Sequence, residues 1–67
     1  MAVDESIVLR EAAGEIRRGE KFEAVLSRVI RRHGGSFAEY VDLIGRVRER
    51  SKSTGLTLVQ AAKQIAG

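Results

Sequence analysis

The sequence predicts an all-α fold, a small four-helix domain with short glycine-containing turns. Three observations carry this expectation. Apolar residues recur at helical spacing, three glycine-containing breaks divide the chain, and hydroxyl caps open two of the stretches between them. The breaks are Gly19, His33-Gly34-Gly35 and Ser53-Thr54-Gly55, each placed where a left-handed C-cap glycine would end a helix.

In the first stretch Asp4 is a candidate N-cap, and Val8, Ala12 and Ile16 form a helical stripe widened by Leu9 and Ala13. The apolar run Ile7-Val8-Leu9 also permits a short β-strand over residues 6–10, and periodicity alone does not decide between the two. Helix is the expectation. The second stretch has the clearest period: Phe22, Val25, Leu26, Val29 and Ile30 fall on one helical face. The third opens with a capping box, Ser36 to Glu39, and sets Phe37, Tyr40, Val41, Ile44 and Val47 on one face as its expected core stripe. The fourth opens with a second box, Thr57 to Gln60, and runs through Ala62 and Ile65.

Sixty-seven residues make one domain, expected to span residues 1–67. A chain this short buries only roughly 60% of its unfolded surface, so a disulfide, a metal or a partner subunit usually supplements the core. There is no cysteine, and His33 is the only histidine, so neither a disulfide nor a zinc site is expected. Idealised helix packing or self-association remains, and self-association as a homodimer is the expectation. Ala38, Val41 and Gly45 form a small-residue stripe on the third helix, the candidate interface for an internal helix crossing or a dimer seam. The acidic opening Asp4-Glu5 is unlike a secretory leader, and no apolar run approaches the ~20 residues of a membrane span. A cytoplasmic protein is expected.

Catalytic chemistry is not expected. His33 ends a helix beside two glycines, where a cation suits the helix dipole. Lys52-Ser53 lacks the preceding glycine-rich phosphate loop. Gly34-Gly35-Ser36 is one residue short of the Gly-Gly-x-Ser that resembles a phosphopantetheine site, so no cofactor is expected.

Charge is the functional hint. Residues 1–23 carry six acids against four bases; residues 24–67 carry three acids against eight bases. Two basic clusters result: Arg28, Arg31 and Arg32 on the second helix, and Arg46, Arg48, Arg50 and Lys52 ending the third. Arginine suits phosphate because its planar fork binds oxygens in pairs. The leading expectation is therefore a small regulatory nucleic-acid-binding protein, with DNA or RNA contacted by these seven residues. The alternative is a protein-interaction module, an antitoxin or adaptor, with an acidic partner. The glycine turn between helices two and three suits a helix-turn-helix, but Glu39 and Asp42 lie where the recognition helix should face DNA.

Two family resemblances bear on this. Arg32-His33-Gly34, Ser36, Glu39-Tyr40, Leu43, Ser51, Leu58 and Ala62 resemble scattered positions of the ANTAR RNA-binding domain, with the Ser36-to-Leu58 interval about a turn longer; this implies an RNA partner. Residues 6–10 followed by Gly19-Glu20-Lys21-Phe22 are similar to ribbon–helix–helix antitoxins, which implies a strand over 6–10.

Overall fold

The computed structural model describes residues 3–67 as four α-helices: α1 (Glu5–Glu15), α2 (Phe22–Arg32), α3 (Phe37–Thr54) and α4 (Leu58–Ala66). Each helix packs on its neighbours in the chain, and α4 closes the ring against α1. The radius of gyration is 10.7 Å, against about 10.9 Å for a compact chain of this length. All four helices therefore share one core. Among the described residues no helix is long and apolar enough to cross a membrane.

Residues 6–10 lie inside α1, so the strand alternative falls, and the ribbon–helix–helix resemblance with it. The Asp4 carboxylate accepts the Ile7 N–H at 3.1 Å, starting the helix. Val8 and Leu9 are then both fully buried. A strand would send these adjacent side chains to opposite faces, whereas one face of a helix holds both.

The caps differ in detail from the sequence reading. After α2, Gly34 is left-handed with φ 78°, and the Gly35 N–H reaches the Ile30 carbonyl at 2.8 Å while the Gly34 N–H reaches Arg31 at 3.0 Å. This is a Schellman closure. Gly55 ends α3 with φ 74°. Gly19 does not cap α1: the helix ends at the extended residue Ile16, and Gly19 serves a separate turn. Both capping boxes form.

The core combines Val8, Leu9 and Ala12 of α1 with the five-residue stripe of α2, Leu43, Ile44 and Val47 of α3, and Ala61 and Ala62 of α4. On α3 the expected stripe is displaced. Leu43 is buried, while Phe37 is 73% exposed and Val41 49% exposed. The apolar residues of α3 cover more than half of its circumference at about 100° per residue, and the contacts with α2 and α4 cover only part of that arc. The small-residue stripe also lies outside: Ala38, Val41 and Gly45 are exposed, and a Cβ on Gly45 would meet nothing within 4 Å. An internal crossing at Gly45 is thereby excluded. The small residues that are buried at a helix pairing are instead Ala12 and Ala13 on α1 and Ala61 and Ala62 on α4, the two helices that close the ring.

Candidate functional site

Helix geometry divides each basic cluster before any partner is considered. Residues four apart share a face and residues two apart do not. Arg28 and Arg32 therefore point together, and Arg31, three residues from Arg28, flanks them on the other side. Arg46 and Arg50 share one side of α3, and Arg48 and Lys52 share the other.

The fold then brings most of these cations to acids of the N-terminal half. Arg28 contacts Glu20 at 3.2 Å and Glu15 at 3.4 Å. Arg32 contacts Glu15 at 2.7 Å and Glu11 at 3.3 Å, and His33 Nε2 lies 2.7 Å from the same Glu11 oxygen. The network ties α1 to α2 along their length. Its carboxylates are held below the ordinary range: Glu11 chiefly by His33 and then Arg32, Glu15 by Arg32 and then Arg28. Glu20 is lowered chiefly by the Arg17 N–H and then by Arg28. The two guanidinium groups are correspondingly raised, Arg28 chiefly by Glu20 and Arg32 chiefly by Glu15. No nucleophilic side chain is hydrogen-bonded to His33 among the described residues.

On α3, Arg46 pairs with Glu5 of α1 and with Asp42 one turn back. Arg48 reaches Glu23 of α2 at 3.4 Å. Arg50 donates to Gln64 of α4 at 2.9 Å. Arg46 and Arg50 line a groove of about 300 Å³ against α4 together with Glu49, Ser53 and Ile65, so an acid shares their surroundings. Half of the bases in residues 24–67 are thus folded back onto acids of the first half or of their own helix. Among the described residues, only Arg28, Arg32, Arg46 and Arg48 of the twelve Lys and Arg have a carboxylate partner within ion-pairing distance. Of the seven arginine and lysine residues singled out in the sequence, Arg31, Arg50 and Lys52 have none.

A second feature was not expected. Phe37, Val41, Gly45, Arg48 and Lys52 recur at i, i+4, i+8, i+11 and i+15, so they share the outer face of α3. All five are exposed. Phe37 leans on the half-buried Tyr40, with ring centroids 5.9 Å apart, leaving most of its ring in solvent. Ala38 borders the apolar half. The result is a ridge, apolar over its first turns and cationic over its last. The apolar arc of α3 was legible in the sequence, but which edge of it stays uncovered was not.

With a four-helix all-α fold in hand, no family model, no curated protein and no solved structure matches the chain. Among the described residues no group of three His, Cys, Asp or Glu side chains comes together as a metal site would require.

Proposed function

We propose that this chain is a protein-interaction module whose outer α3 face docks an amphipathic acidic helix of another protein. The observation that carries the reading is the ridge itself: two exposed large apolar side chains, Phe37 and Val41, continued along the same face by Arg48 and Lys52. Burying an exposed phenylalanine and valine supplies the apolar centre that stable protein contacts use, with charge at the rim. Gly45, with open space over its Cα, admits close approach of a partner backbone. The cationic half selects carboxylates over lysines in the partner. The reading contains no catalytic step.

The test is titration of the labelled protein with a helical peptide of leucine and glutamate residues, followed by amide chemical shifts. Shifts confined to Phe37, Val41, Gly45, Arg48 and Lys52, and lost in Phe37→Ser/Val41→Ser with the fold retained, are the expected result. The absence of shifts, or shifts elsewhere, overturns the reading. Shifts at the same residues that depend on protein concentration without peptide assign the face to a second copy instead, an isologous homodimer.

A further inference from the structure

The cations that the fold leaves without acidic partners are not spread evenly. Arg17, Arg18 and Lys21 fall within residues 17–21, the turn joining α1 to α2, and all three are exposed. The three acids around this turn are already engaged, Glu15 at the end of α1 by Arg28 and Arg32. Glu20 accepts the Arg17 N–H at 2.8 Å through one oxygen and Arg28 at 3.2 Å through the other. Glu23 receives Arg48. That last contact also sets the final turns of α3 against the first turn of α2, bringing Lys52, one turn beyond Arg48, to the same end of the bundle.

The turn is closed rather than loose. The Glu20 N–H returns to the Arg17 carbonyl at 3.0 Å while the Glu20 side chain takes the Arg17 N–H, and Gly19 adopts φ 89° between them. Ordering costs that a floppy loop would meet on binding are therefore already met in the free protein.

Three kinds of polyanion suit a cationic surface, and apolar exposure distinguishes them. A protein partner wants an apolar centre, and an anionic membrane wants apolar side chains to insert. Among the described residues the exposed large apolar side chains are Ile7, Phe37 and Val41. These lie in the N-terminal turns of α1 and α3, which the contacts of Val3 with Glu39 and of Glu5 with Arg46 place together at the other end of the molecule. The turn offers charge with no apolar companion. A sugar-phosphate backbone asks for that combination, because its affinity comes from neutralised phosphates and released counterions.

We infer that the α1–α2 turn, through Arg17, Arg18 and Lys21 and flanked by Lys52, is a docking surface for the phosphate backbone of a nucleic acid. Arg28 borders the turn through Glu20, whereas Arg32 is held by Glu11 and Glu15 of α1. Arg17, Arg18 and Lys21 lie outside the α3 ridge, and the flanking Lys52 is the one residue common to both surfaces.

The experiment is fluorescence anisotropy with a labelled DNA duplex and a labelled RNA hairpin, titrated at several salt concentrations. Two variants with the same loss of charge are compared. Arg17→Ala/Arg18→Ala/Lys21→Ala removes the turn; Arg10→Ala/Arg31→Ala/Lys63→Ala removes three cations elsewhere that also lack a carboxylate partner. The parent should bind one or both probes at low salt. The first variant should flatten the logarithmic salt dependence on duplex DNA by up to roughly three units, about 0.9 per phosphate. The second should leave the slope within one unit of the parent. Equal effects of the two variants would reduce the surface to net charge and overturn the inference. So would failure to bind either probe, or salt-sensitive binding to phosphatidylserine vesicles in place of both. If circular dichroism shows either triple variant unfolded, Arg18→Glu, at a position whose side chain makes no hydrogen bond, must weaken binding at least tenfold; unchanged affinity is equally fatal.

Discussion

Replacing glycine by alanine should destabilise this protein at residue 35 and stabilise it at residue 45, and the opposite signs follow from geometry. At Gly35 an added Cβ would sit 2.5 Å from Ile30 Cγ2, 2.7 Å from Val3 Cγ1 and 3.1 Å from the Ile30 carbonyl. The half-buried Val3 side chain, at the edge of the core, can yield. Ile30 cannot yield easily, being 1% exposed in the core and carrying the carbonyl that closes the α2 cap. Relief requires moving either the Ile30 side chain or the Schellman turn, an overpacking that typically costs about 1–3 kcal/mol. The unfolded-state entropy favouring alanine returns only about 0.4–1 kcal/mol, so the steric term wins. Gly35 does not have positive φ, so backbone strain plays no part. Gly45 lies mid-helix with nothing within 4 Å of the new Cβ; there only the helix-propensity gain remains, about 0.5–1 kcal/mol. At about 4–8 °C per kcal/mol for a small domain, Gly35→Ala should lower Tm and Gly45→Ala should raise it, read by far-UV circular dichroism at low protein concentration. A Gly35→Ala protein as stable as the parent would refute the packing described around Ile30. A destabilised Gly45→Ala would show that the outer face of α3 is covered even in the free protein.

Three further outcomes are expected. Acid should destabilise the fold: Glu11, Glu15, Glu20 and Glu39 all have lowered folded-state pKa values, Glu39 chiefly through the Val3 N–H, so their contribution is present above the ordinary carboxylate pKa of about 4.3 and is lost as pH falls through and below it. Urea midpoints between pH 6 and about 3 should decline, and less steeply in Glu11→Gln/Glu15→Gln; parallel slopes would count against the α1–α2 network. Leu26→Ala, at a fully buried position, should cost about 2–5 kcal/mol of a total of about 3–10 for this length, lowering Tm by about 8–40 °C by circular dichroism; a cooperative transition near the parent Tm would contradict the core assignment. Ser36→Ala removes the side chain that accepts the Glu39 N–H at 3.2 Å and should cost about 0.5–2 kcal/mol in urea titration, an unchanged midpoint speaking against the capping box.

By itself the sequence determined the number of helices, their approximate limits, both capping boxes and the buried stripe of α2. These are local matters: a capping box needs residues three apart, and a stripe five residues deep with charges opposite leaves one orientation. Where the apolar arc was wide, as on α3, the sequence named the residues but not the edge that would be covered. Phe37 and Val41 fell outside because α2 and α4 approach from the side of Leu43 and Val47. The basic clusters were legible only as strings of letters. Whether an arginine is available to a partner depends on which carboxylates lie within a few ångströms. Glu11 reaches Arg32 across 21 residues and Glu5 reaches Arg46 across 41. Coulomb attraction acts through space, not along the chain, and at such separations only tertiary packing fixes the distance. The same packing leaves Arg17, Arg18 and Lys21 without a carboxylate at ion-pairing distance, although Glu20 stands among them in the sequence; its two oxygens turn to Arg28 and the backbone of the turn.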